Sequence, residues 1–367
     1  MKKRNTSALR LAAVGLSITL GLILTLALGG TLYLRHLLGS VNHVDPQTAP
    51  TLTQEELDAY LATEATAGAE NTAPTMEPED VEFGEHDTQI GGEESEILNI
   101  LLIGQDREPG EIRARSDSMI LCTFNKKEKT LTMTSFLRDL YVKIPGYRDN
   151  RINASYAAGG MSLLNKTLET NFGIHIDGNM EVDFAQFADI IDLQGGVELE
   201  LRQDEARVIN RVTGSDLTEG THLLTGAQAL AFARIRKLDS DGDFSRTERQ
   251  RTLITALISA YKDAGLSTIL PLAKQILPLI TTDMSSDTIL EYASELFPLL
   301  TDATIISQRI PADGTYSAKT IRGMAVLVAD LDAARLLLQD TLNGNQTQLG
   351  SDSSSQHRQS RNRKIFP

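Results

Sequence analysis

The sequence predicts a layered α/β/α domain with a central mixed sheet flanked by helices, preceded by one N-terminal transmembrane helix. Three observations carry that expectation. Residues 11–34 ("LAAVGLSITLGLILTLALGGTLYL") contain no charged side chain, and about 20 apolar residues suffice for a helix to span a bilayer. Strand-like and helix-like segments alternate from Ile97 to Leu342, the pattern of a sheet covered by helices. The β-rich runs "SMILCTFN" and "TLTMTSFL" flank the polar turn "NKKEKT", which reads as a hairpin and makes the sheet mixed.

The elements follow in chain order. Lys2, Lys3, Arg4 and Arg10 precede the apolar run and acids dominate beyond Arg35, so residues 1–10 are expected in the cytoplasm and everything after Leu34 outside. The run exceeds the roughly 7–15 apolar residues of a cleaved signal peptide, which favours an uncleaved single-pass anchor in the cell membrane. Of 367 residues, 49 are acidic and 35 basic, but the imbalance is local. No Lys or Arg stands between Arg35 and Arg107, and fifteen acids lie there ahead of Asp106, leaving 34 acids against 35 bases elsewhere. Rich in Thr, Ala, Pro and Gly, this stretch looks too poor in large apolar residues to offset its ordering entropy. Residues 35–96 are therefore expected to form a disordered acidic tether, with a short helix at Gln54–Leu61. The single Cys122 cannot make an internal disulfide and reads as a small core residue. Residues 343–367 form a polar tail whose Arg358, Arg361, Arg363 and Lys364 give weak attraction to acidic polymers or headgroups.

Residues 97–342 make the folded domain. "ILNILLIG" is a continuous apolar run, as expected of a strand buried on both faces. The hairpin follows. "GGMSLLNKTLETNFG" sets Met161, Leu164 and Leu168 at helical spacing and stops at Gly173. "DFAQFADIIDLQGG" is a helix closed by glycines ahead of the strand-like "VELEL". Thr225 with Gln228 forms a capping box opening "GAQALAFAR", and Ser245 with Glu248 a second one opening "RTERQRTLITALISAYK". Two very apolar helices, "TILPLAKQILPLI" and "ILEYASELFPLL", precede the strand "ATIISQRI" and a last helix, "DLDAARLLLQDTL".

The chemistry concentrates in "ARIRKLDSDGDFSRTERQRTL", which sets Arg234, Arg236, Lys237, Arg246, Arg249 and Arg251 around Asp239, Asp241 and Asp243. Solvated ion pairing explains most such clusters, and Arg234 and Arg236 suit the C-terminal end of a helix. Arg246 does not fit that account, because a cation is disfavoured in the first turn of a helix opened by Ser245. It shares a face with Arg249 and Gln250 at i, i+3 and i+4. A phosphate or sulfate there would meet free N–H groups, the helix dipole and a guanidinium fork. Asp106 and Asp117 fall at adjacent strand ends, where two carboxylates could hold a hard divalent cation; ordinary turn chemistry also puts aspartates there. Arg138 ends "TLTMTSFL" and precedes Asp139, and taken by itself an exposed strand-terminal salt bridge is the better account of it. The sequence carries no Walker-type loop, Ser–His–Asp set or zinc spacing. It has no helix-turn-helix or basic DNA-reading element either, so no nucleic-acid partner is expected.

Together the motifs carry a resemblance. "LLIGQDRE", "RSDSMIL", "TSFLRDLYVKIPG", "RINASYAAGG", "VDFAQFADIIDLQGGVELEL", "GTHLLTGAQALAFARIRK" and "GDFSRTERQR" occur in an order similar to the LytR–CpsA–Psr family. A weaker likeness runs on through "RIPADGTYSAKTIRGMAVLVADLDAARLLL", so the resemblance covers nearly all of Ile97–Leu342. It implies a bacterial cell-envelope phosphotransferase of a Gram-positive-type envelope, anchored by the N-terminal helix with its catalytic domain outside. Its implied reaction moves a glycan phosphate from a polyprenyl pyrophosphate carrier to peptidoglycan, attaching a teichoic acid or capsular polymer. It also implies that Asp106 and Asp117 hold Mg2+ at the pyrophosphate, while Arg115, Arg138, Arg234, Arg236 and Arg246 grip phosphate oxygens. Gln250 and Asn153 would support them, and Asp243 would orient the arginines or contribute to the substrate-binding site itself. The apolar helices beyond Leu266 read equally as core or as the wall of a polyprenyl groove.

Three positions depart from the family pattern: Leu137 stands where proline is usual, Arg151 where lysine is usual, and Gln105 where a small hydroxyl residue is common. None removes a predicted phosphate or metal contact, so an active enzyme is expected. The alternatives are a non-catalytic envelope binding or regulatory protein, and a pyrophosphatase that releases the glycan phosphate to water.

Overall fold

The computed structural model describes residues 33–46, 48–65, 73–87, 89–92, 96–107, 113–236, 238, 242–262 and 264–340. The expected span at 11–34, apart from Tyr33 and Leu34, lies outside them, as do the expected tail at 343–367 and Lys237, Asp239 and Asp241. Among the described residues no helix is long and apolar enough to cross a membrane.

A seven-stranded mixed sheet organises the domain in the order β1-β10-β7-β2-β3-β4-β11. The strands are β1 (Asn42–His43), β2 (Ile97–Gln105), β3 (Ser116–Asn125), β4 (Thr130–Phe136), β7 (Gly178–Asp183), β10 (Thr281–Thr282) and β11 (Thr304–Ile310). The expected hairpin is β3–β4, and β2 pairs antiparallel to β3. Because β7 runs parallel to β2 and β11 parallel to β4, the C-terminal ends of β2, β4, β7 and β11 gather at one edge of the sheet. Ligands in such folds collect there.

The apolar run of β2 is explained by burial on both faces. Leu101 and Ile103, with Met119, Leu121 and Phe136, pack against helix α2 (Ile152–Phe172) and helix α9 (Leu331–Asp340). Leu98 and Ile100, with Ile120, Leu131 and Met133, face helices α6 (Asp243–Tyr261) and α8 (Ser286–Asp302). Cys122 belongs to this second core, and burial pushes its thiol up to about 12, which leaves it inert at neutral pH. A third core joins helix α3 (Phe184–Leu193), helix α4 (Gln203–Thr213) and helix α5 (Gly226–Ala233) to a small sheet of β8 (Val197–Leu201) and β9 (Gly220–Leu224).

Several local expectations are modified. Helix α2 begins at Ile152, seven residues before Gly159, and bends at Gly159–Gly160. Gly160 has φ 64° and ψ −152°, a region that essentially only glycine enters. Gly173 caps the helix in the left-handed conformation, as its position suggested. The Thr225–Gln228 capping box is present. The Ser245 box is not: α6 starts at Asp243 behind Gly242, whose φ of 52° lets the chain turn sharply into the helix. A hairpin of β12 (Tyr316–Ile321) and β13 (Met324–Ala329), and a short pair of β5 (Tyr141–Val142) with β6 (Asn150–Arg151), were not anticipated.

The largest correction concerns residues 35–96. Where described, they are not a free tether. Strand β1 pairs in parallel with β10 at the sheet edge. Helix α1 (Gln54–Ala65) begins where the short helix was expected and buries Leu57 completely, with Leu61 beside it. Val81, Phe83 and Ile90 enter the same core as Leu101 and Phe136. Arg335 of α9 clamps the segment by donating to the carbonyls of Phe83 (2.8 Å) and Asn171 (2.9 Å). The segment is poor in large apolar residues on average, but Leu57, Leu61, Val81, Phe83 and Ile90 are all placed in the core.

Candidate functional site

At the gathered strand ends a register slip shapes the site. Gly104 pairs with Ser118 and Gln105 with Ser116, so Asp117 is the extra residue of a β-bulge. Bulges of this kind re-aim side chains next to functional sites. Asp117 receives Arg138 Nη1 on Oδ1 at 2.6 Å and lies 3.8 Å from Arg236 Nη2. Burial works to raise its carboxyl, but Arg138, Arg246 and Arg236 outweigh burial and hold it below the usual range. Arg138 stands two residues past β4, with Nε 3.7 Å from Asp139 and 3.9 Å from Asp243.

Asp243 is the hub on the opposite side. Its Oδ2 accepts from Arg246 at 2.8 Å, and its Oδ1 lies 3.7 Å from Arg236. Arg246 also donates to the backbone carbonyl of Asp117 at 3.1 Å, and its side chain is only 3% exposed. Burial pushes Arg246 down to about 10; Asp243 counters this, while Arg138 and Arg236 reinforce it. Asp243 sits in the first turn of α6, where an acid suits the helix dipole. The unusual cation read from the sequence is thus matched by an aspartate one turn earlier.

Gln250, one turn beyond Arg246, accepts from Ser118 Oγ at 3.1 Å. Arg234, Arg236, Arg246, Gln250 and Phe184 line a cavity of about 190 Å³. Arg234 lies over the Phe184 ring at 4.9 Å and pairs with Asp106 at 3.0 Å, both half-exposed at the rim. Nothing in the sequence singled out Phe184. On the other flank Arg151 reaches Asp139 at 3.4 Å, and Arg115 adds a second positive charge beside Arg151. Asn153 is buried behind Arg138, its N–H directed at the Arg138 carbonyl at 3.4 Å. The fold therefore gathers Arg138, Asp117, Arg246, Arg236 and Asp243 at the centre, with Asp106, Arg234 and Gln250 on one side and Arg115 and Asn153 on the other.

Two neighbours on α6 are not part of the site. Arg249 pairs with buried Glu205 at 2.9 Å and donates to the Ile235 carbonyl. Arg251 donates to Ser307 and Ser135 at 2.6 and 2.7 Å.

The centre is under-satisfied. Arg138 Nε, Arg246 Nε, Arg151 Nε, Ser116 Oγ and Asn153 Oδ1 are all buried without a hydrogen-bond partner. Buried polar atoms are almost always paired, and of the thirteen without a partner among the described residues five belong to this centre and its flank. Three of the five are guanidinium nitrogens, whose natural complement is a phosphate or carboxylate. Among the described residues no three His, Cys, Asp or Glu side chains converge as a metal cage.

Comparison with known proteins gives the family. The LytR_cpsA_psr family model matches residues 59–338. Polyisoprenyl-teichoic acid–peptidoglycan teichoic acid transferase TagT of Bacillus subtilis is 36% identical over 213 residues, 56% of this chain and 64% of TagT. The structure of TagT bound to LIIa-WTA superposes with a TM-score of 0.57 at 30% identity, covering 71% of this chain and 97% of that one. That of TagT with bound octaprenyl pyrophosphate lipid gives 0.53 at 27% identity, covering 70% and 95%. The match to the TagT sequence stops short of two thirds of its length, whereas the family model spans most of the present chain. The chain belongs to the LytR_cpsA_psr family.

Proposed function

We propose that the chain is an envelope phosphotransferase that moves a glycan phosphate from a polyprenyl pyrophosphate carrier to peptidoglycan. The observation that carries the reading is the cluster of buried, unsatisfied guanidinium nitrogens at the strand ends. Relatives supply the substrate class: TagT is named as a teichoic acid transferase, and its structures hold octaprenyl pyrophosphate lipid and LIIa-WTA. The same reading places residues 11–34 in the membrane and the domain outside the cell, with capsular-type polymers as an alternative cargo.

Phosphoryl transfer asks a protein mainly for in-line positioning and charge neutralisation. Arg138 and Arg246, held beside Asp117 and Asp243, supply guanidinium donors to the transferred phosphate. Arg234 and Arg236, at the cavity wall, take the leaving phosphate. The acceptor hydroxyl oxygen bonds to phosphorus as the bridging P–O bond breaks. The electron pair stays on the departing polyprenyl phosphate, which can take the proton because a phosphate monoester ionises a second time near neutral pH. The partly buried apolar side chains Leu102, Met180, Ile254, Ile258 and Leu300, between the sheet and helices α6 and α8, offer the polyprenyl chain an apolar wall.

Asp106 and Asp117 would be the residues to hold Mg2+: both are hard oxygen ligands, and magnesium completes its octahedron with water and substrate oxygens. Such an ion would neutralise charge developing on the pyrophosphate.

The test uses the full chain in detergent, because a piece starting at Glu96 would lose Leu57, Phe83 and Ile90 from the core. It is incubated with a synthetic polyprenyl pyrophosphoryl saccharide, Mg2+ and peptidoglycan fragments, and phosphate-linked product is followed by mass spectrometry. Arg138→Ala and Asp117→Ala should each lower turnover by about 10²–10³-fold or more. Glycan phosphate released equally with and without acceptor would mean a pyrophosphatase. Binding without any product would mean a non-catalytic envelope protein.

A further inference from the structure

Behind the strand-end aspartates lies a buried polar chain that the chemistry above does not use. Glu181 of β7 is 7% exposed, Gln105 at the end of β2 1%, and Tyr156 of α2 2%. Gln105 Nε2 donates to one Glu181 oxygen and the Tyr156 hydroxyl donates to the other, both in short contacts. Gln105 Oε1 in turn accepts the Ala114 N–H at 2.9 Å. Arg113 completes the chain by donating to the Tyr156 backbone carbonyl at 3.1 Å, at the glycine bend of α2. A buried carboxylate is costly unless bonded, and here both oxygens are.

These bonds close on both sides of the gap between the two aspartates. Gln105 immediately precedes Asp106 and is the register partner of Ser116, the neighbour of Asp117 in the bulge. Ala114, held by the same Gln105 side chain, lies three residues before Asp117. A small hydroxyl side chain at position 105 could not span from β7 to the Ala114 N–H, so this departure from the family pattern has a structural partner in Glu181.

We propose that Glu181 is a positioning residue: through Gln105 it fixes the separation of Asp106 and Asp117. The proposal rests on the reading of those aspartates as a divalent-cation site. The experiment titrates the full-length protein in detergent with Mn2+, following the free ion by electron paramagnetic resonance, and measures kcat and KM for the donor lipid. Groups that orient metal ligands typically contribute 10–100-fold in affinity, so Glu181→Ala should weaken Mn2+ binding by about that factor and lower kcat more than it raises KM. Gln105→Ala should do the same, and the double variant should be no worse than either, because both break one chain. Glu181→Gln should restore most of the affinity, since its amide can accept from Gln105 and donate to the Tyr156 oxygen. A purely stabilising role would lower the melting temperature and leave Mn2+ affinity untouched below it. Folded Glu181→Ala binding Mn2+ like wild type overturns the positioning role alone; if Glu181→Ala does not fold, Gln105→Ala decides. Wild type that binds no Mn2+ overturns this proposal and the metal reading, while product formation by that wild type would leave the transferase standing.

Discussion

Three arginines within six residues of one helix meet three different fates. Arg246 meets Asp243 and the Asp117 carbonyl, Arg249 meets Glu205, and Arg251 donates to the hydroxyls of Ser135 and Ser307. Helical spacing suggested that Arg246 and Arg249 share one function, but Glu205 lies 44 residues away and left no trace near Arg249 in the sequence. Arg246→Lys keeps a charge yet loses the planar fork. It should reduce kcat/KM by about tenfold or more, short of the roughly 10²–10³-fold expected for Arg246→Ala, in the transfer assay with unchanged circular dichroism. Burial disfavours the charge on Arg251, with Glu248 opposing and Arg309 reinforcing that effect, yet a guanidinium stays charged in a folded protein.

Elements with a strong period were legible, and elements defined by a partner were not. The run of β2, the β3–β4 hairpin, the Gly173 stop and the Thr225 capping box each announce themselves locally. Strands β1 and β10 have two residues each, too few for any periodicity, and exist because each pairs with the sheet. The bulge that presents Asp117 depends on the register between β2 and β3, which neither strand encodes alone. The acidic segment was misread because its composition was averaged over some sixty residues, while its packing depends on a few side chains placed where the core can take them. Leu57 tests this directly. Leu57→Ala should lower stability by about 2–5 kcal/mol in urea denaturation, as for other fully buried leucines. A free tether would show no change.

At the scale of the whole molecule, the acidic segment wraps the domain rather than leading to it. Inserting a protease site within residues 66–72 and cutting there should leave two fragments that co-elute in size-exclusion chromatography and part only in denaturant. Fragments that separate under native conditions would contradict the contacts of β1 and α1. The net charge of −14 resides largely in this segment, so the gathered strand ends keep a local excess of arginine. The aspartates there each already hold a guanidinium: Asp106 with Arg234, and Asp117 with Arg138. A bare anion entering such a site must compete with these internal carboxylates for its arginines. Under the proposed function, a ligand that arrives with its own cation would instead swap partners, giving the cation to the aspartates and its phosphates to the arginines, so that no ion pair is lost. A site of the proposed kind would act as an ion exchanger selective for salts over single ions, and free phosphate in the surrounding medium should be a poor inhibitor of it.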